Sequence, residues 1–280
     1  MRTRVLYLLL LVLTIASSVR APQQAARVGR RLDAETQFAP GSDLAARGKL
    51  DEAVSELREA LRLSPQSAEA HYNLGVALDE QGKVDEAMSE YREAIHINPE
   101  NAEAHNRLGG AALFEQGNVD EALAEFREVN RIKPEDAEAH NNLGLALLQQ
   151  GNVDEAMREY REALRINPQY AEAHYNLGNA LEDQGMLDTA MGEYREALRI
   201  NPSLAEAHYN LGVALKEQGK LDEAIAEYRE ALRVNPHVAE AYNNLGVALK
   251  DQGKLDEAVK EYREGLRINQ IGRASCRERV

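Results

Sequence analysis

Six prolines, Pro65, Pro99, Pro134, Pro168, Pro202 and Pro236, follow one another at intervals of 34, 35, 34, 34 and 34 residues. Two sets of glycines keep the same step. One is Gly75, Gly109, Gly144, Gly178, Gly212 and Gly246; the other is Gly48, Gly82, Gly117, Gly151, Gly185, Gly219 and Gly253. The octapeptide AEAHYNLG at 68–75 returns letter for letter at 171–178 and 205–212. A period of this length means small modules stacked in a row, because such a chain grows by addition and needs no single large core. The period therefore overrides the one or two ordinary domains that 280 residues would otherwise suggest.

Each module holds two helix-like stretches. In 205–218, Ala207, Leu211, Ala214 and Leu215 recur at the three-to-four residue spacing of an apolar helix face. A Gly-Lys-Leu break follows, and Asp222 is placed to cap a second helix carrying Ala224, Ile225, Tyr228, Ala231 and Leu232 on one side. Asn235-Pro236 ends it, since proline cannot continue the hydrogen-bond ladder. Gly212 and Ala231 lack bulk, so the two helices can approach to roughly 8 Å. A lone module of this size faces about 50 kcal/mol of ordering entropy at ~1.5 kcal/mol per residue, with little core to offset it. Stacking on neighbours supplies the missing apolar partner.

These residues resemble the tetratricopeptide repeat, a helix–turn–helix module. In 205–238 the motif is met by Leu211, Gly212, Leu215, Ala224, Tyr228, Ala231 and Pro236, with His208 in the place of the usual Trp. The resemblance covers about 34–269. It implies an all-α fold, a right-handed superhelical solenoid of antiparallel helix pairs. The repeats are 68–101, 102–136, 137–170, 171–204 and 205–238, with a sixth, 239–269, lacking only its end. Residues 34–67 form a degenerate first repeat, with Pro40 where Leu is expected and Leu57 where the aromatic is expected; its first helix should be short and begin near Ser42. Repeat 102–136 carries one extra residue between Gly109 and Gly117, with Arg107 in the asparagine series, Val129 for Ala and Asn130 for Leu. One added residue turns a helix face by about 100° unless a π-bulge or the turn absorbs it, so this repeat is expected to be kinked and weakly stacked.

The ends differ from the array. Residues 1–18 have Arg2 and Arg4, a twelve-residue apolar run from Val5 to Ala16, and small residues at Ala16 and Ser18. This is the layout of a secretory signal peptide. The run would span about 18 Å as a helix, against a hydrocarbon core of roughly 30 Å. A secreted or periplasmic location is therefore favoured over a signal-anchored membrane protein, with no stable membrane span after cleavage. Residues 19–33 read as a linker. Residues 270–280, QIGRASCRERV, fit no repeat and match the translation of a common sequencing adapter. They are expected to be a non-native tail, with Gln270 standing where each earlier repeat has proline.

The net charge of -14 argues against nucleic-acid binding. The single cysteine, Cys276, allows no intrachain disulfide framework. His71, His105, His140, His174 and His208 recur once per repeat. Equivalent places in stacked repeats lie at least about 8–10 Å apart, whereas a shared zinc needs each ligand near 2 Å. They are therefore helix-packing residues, and no metal, cofactor or catalytic constellation is expected.

In the family the first helices line the concave face, so residues recurring there without a packing reason are the candidate site. The sixth place of each repeat holds Asn73, Arg107, Asn142, Asn176, Asn210 and Asn244. Asparagine is a mediocre helix former, and its amide can both donate to and accept from a peptide backbone. The array is similar to the superhelical repeat domain of the O-linked N-acetylglucosamine transferases, whose asparagine ladder holds substrate peptides. Duplication of one repeat would also preserve such residues, and that reading stays open. The fifth place adds Tyr72, Tyr175 and Tyr209, with Asn106, Asn141 and Asn243.

Acidic or amide residues edge the groove. Glu69, Glu103, Glu138, Glu172, Glu206 and Glu240 stand at the second place, and Glu80, Glu115, Gln149, Asp183, Glu217 and Asp251 at the thirteenth. They favour a neutral or basic ligand, although glutamate in a first helical turn also suits the helix dipole. The expected function is a non-enzymatic scaffold binding an extended protein or peptide segment. The alternative is the substrate-recruiting part of a larger enzyme, such as a glycosyltransferase, continuing beyond 269.

Overall fold

The structure, a computed structural model, describes residues 48–277, with side chains through 270. The leader, the linker and the first helix of the degenerate repeat lie outside the described residues. The chain divides into two compact units at Ile132–Lys133. The first contains α1 (Leu50–Leu63), α2 (Ala68–Glu80), α3 (Val84–Ile97), α4 (Ala102–Phe114) and α5 (Val119–Ile132). The second contains α6 (Ala137–Gln149), α7 (Val153–Ile166), α8 (Ala171–Asp183), α9 (Leu187–Ile200), α10 (Ala205–Glu217), α11 (Leu221–Val234), α12 (Ala239–Asp251) and α13 (Leu255–Arg277). Among the described residues there is no strand.

Each repeat uses the same punctuation. The first helix ends on a glycine in the left-handed region: Gly82 has φ 74°, where a Cβ would be strained. There the Gly82 N–H donates to the Asp79 carbonyl at 2.8 Å and the Lys83 N–H to the Leu78 carbonyl at 2.9 Å, satisfying two carbonyls that the helix end would orphan. The second helix ends at Asn-Pro. Asn98, Asn167, Asn201 and Asn235 leave the helical region at φ near −130°. The following proline has no N–H to continue the ladder. Where Gln270 replaces that proline, nothing stops the helix, and α13 runs for 23 residues instead of 14.

Asp222 is not the cap of α11. Lys220 is the N-cap and makes no side-chain cap bond, while Asp222 lies inside the first turn. The carboxylate there suits the helix dipole, and its Oδ1 accepts from Gln252 Nε2 of the next repeat at 2.7 Å. The same staple joins Gln218 to Asp188 in the second unit, and Gln81 to Asp51 and Gln116 to Asp85 in the first.

The extra residue of repeat 102–136 is taken up by the turn. Helix α4 keeps the 13 residues of its counterparts. After it, the Gln116 N–H donates to Ala111 and the Asn118 N–H to Ala112, one residue further back than the Lys83–Leu78 bond. Counted on the helix, the thirteenth place is therefore Phe114, not Glu115. Its ring is 66% exposed, where the other repeats present a carboxylate or amide.

The core of each repeat is a ring set against a missing side chain. Tyr91, Tyr160, Tyr194 and Tyr228 on the second helices are fully buried, as is Phe126. Each lies against the helical glycine of its own first helix. A Cβ on Gly178 would fall 2.5 Å from Tyr194 Cε1, and one on Gly144 equally close to Tyr160. The glycine thus lets the second helix bring an aromatic ring close against the first helix's backbone. Met88 in the first unit, and Met157, Met191 and Ile225 in the second, are also buried on the second helices. Their counterpart on α13, Val259, is 47% exposed.

Candidate peptide-binding face

In the second unit, successive first helices approach one another, α6 with α8 and α10 with α12. This brings the fifth and sixth places of neighbouring repeats together. Asn176 Nδ2 donates to Asn141 Oδ1 at 2.9 Å, and Asn244 Nδ2 to the Tyr209 hydroxyl at 2.9 Å. Asn210 Nδ2 lies 2.8 Å from Asn179 Oδ1 and 3.5 Å from the Tyr175 hydroxyl. In the first unit Arg107 stands at the same place, and the Tyr72 hydroxyl helps hold its guanidinium charged against the opposing effect of burial. In the second unit the recurring asparagine is therefore a rung: its amide donor ties one repeat to the repeat before, at the fifth place for Asn176 and Asn244 and chiefly at the ninth-place Asn179 for Asn210.

Rung formation fixes which way the amide points. With one Nδ2 hydrogen held by the preceding repeat, Asn176 and Asn244 can offer Oδ1 as an acceptor and their second amide hydrogen as a donor, and Asn210 can offer Oδ1. The three asparagines and Tyr175 and Tyr209 are half-buried, as are Tyr72 and Asn73 in the first unit and Asn142 in the second. Tyr72, Tyr175 and Tyr209 also lean on the buried rings beneath them, at centroid distances of 6.1, 6.1 and 6.0 Å from Tyr91, Tyr194 and Tyr228. Tilted contacts at this range are favourable.

One network extends below the rungs. The Tyr194 hydroxyl sits 2.6 Å from Glu182 Oε2 and 2.9 Å from Asn179 Oδ1, the atom that also receives Asn210. Burial first, and then Glu182, push the Tyr194 phenol far above its ordinary pKa, so it remains a donor at all physiological pH. Asn179 and Glu182 escape a reading based on recurrence, because only this repeat has them. The hydroxyls of Tyr160 and Tyr228 are buried with no hydrogen-bond partner.

The second-place glutamates are exposed and lie in the first turns of their helices, the position expected for a dipole role. Glu80 in the first unit, and Gln149, Asp183, Glu217 and Asp251 in the second, are also exposed.

The five histidines pack between the helices, each in the same three-sided slot. Nδ1 faces a glutamate of the second helix: His71 with Glu90 at 2.6 Å, His105 with Glu125 at 2.5 Å, and His140, His174 and His208 with Glu159, Glu193 and Glu227 at 2.6 Å. Nε2 faces the carbonyl of Pro65, Pro99, Pro134, Pro168 or Pro202, at 3.0 to 3.3 Å. The glutamate partners stand 19 or 20 residues beyond each histidine. That spacing is visible in the sequence, but its meaning depends on the register between two helices. Among the described residues no three His, Cys, Asp or Glu side chains converge as metal ligands would.

Comparison with known proteins bears on the family. Models of the TPR repeat match residues 110–151, 145–185 and 178–219, and models of the tetratricopeptide repeat match 38–102 and 209–270. The chain is a tetratricopeptide repeat (TPR) protein. It has the all-α superhelical repeat fold that its sequence implies. Comparison with curated protein sequences returns no match. Among solved structures, this TPR protein is similar to Pseudomonas aeruginosa pilF, at 26% identity and TM-score 0.65, over 74% of this chain and 94% of that one. A TPR protein from Parabacteroides merdae matches at 20% identity and TM-score 0.67, over 84% and 93% of the two chains. YrrB, a TPR protein with an unusual peptide-binding site, matches at 22% identity and TM-score 0.53, over 66% and 95%. TPR proteins commonly act as scaffolds that bind protein or peptide partners.

Proposed function

We propose that the first-helix face of this TPR protein is a concave groove that binds an extended, neutral-to-basic segment of another protein. The observation that carries this reading is the orientation of the rungs. Asn176, Asn210 and Asn244 each commit an amide N–H to the repeat before, which orients the amides and lets their Oδ1 atoms serve as a row of acceptors, one per repeat. A β-extended chain has backbone N–H groups that suit such a row. Fixed acceptors lose little entropy when they bind. Tyr175 and Tyr209 supply rigid amphipathic surface beside the acceptors, and Tyr72 is the corresponding residue of the first unit. The exposed carboxylates at the thirteenth place add attraction for Lys and Arg and exclude acidic segments. Asn73 and Asn142 continue the series of candidate binding residues.

The test is fluorescence polarisation with unstructured peptides of matched length and differing charge. Basic and neutral peptides are expected to bind, and acidic ones to fail. Replacing Asn73, Asn142, Asn176, Asn210 and Asn244 by alanine should weaken binding at least tenfold, while circular dichroism shows the helices intact. Equal affinity in the two proteins would retire the groove.

The leader reading places this activity outside the cytoplasm, in a secreted or periplasmic protein. No described helix is long and apolar enough to cross a membrane. Expression with the native leader is expected to give a mature protein beginning at Val19. Recovery of intact Met1 from the exported fraction would count against cleavage.

A further inference from the structure

The histidine slots demand more than packing. Each ring presents both nitrogens to acceptors: Nδ1 to a carboxylate oxygen and Nε2 to a proline carbonyl. A neutral imidazole has one donor and one acceptor nitrogen. Whichever tautomer it takes, one lone pair then faces another acceptor. Only the imidazolium, with two N–H donors, satisfies the slot. The slot also joins three segments: the loop entering the repeat, its first helix and its second helix. His208 of α10, for instance, ties Pro202 in the preceding loop to Glu227 of α11.

We propose that these His–Glu–proline-carbonyl clamps are a pH-sensitive brace, holding loop and helix pair together in mildly acidic surroundings and releasing them as pH rises past neutrality. The proposal is independent of what the groove binds.

The electrostatics agree in direction. The bond to Glu90 raises the pKa of His71 above the usual histidine value, with burial opposing and the Pro65 carbonyl and Glu93 adding. Glu227 does the same for His208, with burial opposing and Pro202 and Glu230 adding. For His105 burial pushes the pKa down, and Glu125, Pro99 and Glu128 together outweigh it. The outer carboxylates Glu128 and Glu230 beside His105 and His208 are ion-paired with Arg131 and Arg233, which leaves Glu125 and Glu227 as the nearest unshared charges on those two rings. A histidine whose folded pKa is raised contributes stability that is fully present below its unfolded pKa of about 6.5. That contribution is lost as pH climbs through the folded value. Ordinary carboxylates are already ionised over this range, so the histidines are the groups left to drive a change. The sixth repeat is an internal contrast: Tyr242 occupies the slot and brings no ring that protonates near neutrality.

The experiment compares melting of the full chain with a variant carrying Tyr at positions 71, 105, 140, 174 and 208, the side chain the sixth repeat already uses. Between pH 6 and pH 8.5 the Tm of the unmodified protein is expected to fall by about 5 °C more than that of the variant. NMR of the imidazole nitrogens in the unmodified protein should show His71, His105 and His208 doubly protonated near pH 6.5. Parallel melting profiles, or rings already neutral at that pH, would overturn the brace. If the five-fold variant fails to fold, Glu90→Gln and Glu227→Gln decide instead: each should lower the titration midpoint of its own histidine, and an unmoved midpoint refutes the assignment.

Discussion

Tyr228→Ala is expected to destabilise its repeat by about 4 kcal/mol, the usual cost of deleting a buried ring that neighbours cannot collapse to fill. The ring is fully buried and stands against Gly212, which has no side chain to move into the space. The hydroxyl is a separate matter. In Tyr228 it is buried and unpartnered, whereas in Tyr194 it reaches Glu182 and Asn179 at 2.6 and 2.9 Å. A buried polar group without a partner carries a desolvation cost with no return, while a made hydrogen bond is worth about 1 kcal/mol. Tyr228→Phe should therefore be neutral or stabilising, and Tyr194→Phe should lose about 1 kcal/mol or more. Phe126 holds the equivalent place in repeat 102–136, so a phenyl ring fits the slot. Urea denaturation of the three variants checks this. An equal loss from the two Tyr→Phe changes would show that the hydroxyl assignments are wrong.

Gly178→Ala should also destabilise, by about 2 kcal/mol, although alanine is the better helix former by about 1 kcal/mol. The new Cβ would sit 2.5 Å from Tyr194 Cε1 and 2.7 Å from Cδ1, closer than real carbon contacts allow. The ring is fully buried and its hydroxyl is tied to Glu182, so it cannot swing clear without breaking that bond. Overpacking of this kind costs roughly 1–3 kcal/mol, and the locked ring puts it at the upper end. The two residues should be coupled. In a Tyr194→Leu background, where the ring edge is gone, Gly178→Ala should become neutral or favourable through helix propensity. A double-mutant cycle in urea measures the difference, and simple additivity would mean the two side chains do not meet.

The array itself was plain from the 34-residue beat of proline and glycine. Pro236 and Gly219 act locally, one by lacking an N–H and the other by taking a positive φ of 74°, so their effects follow from chain position alone. The same holds for the alternation of alanine with large apolar residues that marks which sides are buried. Asp222 shows where local reading fails. As a helix start it looks like a cap, yet the helix begins one residue earlier and its carboxylate receives Gln252 from the following repeat. The inserted residue before Gly117 shows the same limit. Counting along the sequence puts Glu115 in the helix, while the folded chain places the excess in the turn and leaves Phe114 at the edge.

Sequence by itself determined the architecture of this protein, because periodicity, helix stops and small-residue notches are properties of neighbours along one chain. Tertiary structure alone decided what the recurring polar residues do. Asn176, Asn210 and Asn244 each turn an amide N–H onto the repeat before, and the histidines meet a glutamate from another helix and a carbonyl from the loop entering the repeat. Both facts depend on how two helices are rotated against each other. A shift of one residue turns a helical side chain by about 100°, which would point every one of these groups elsewhere.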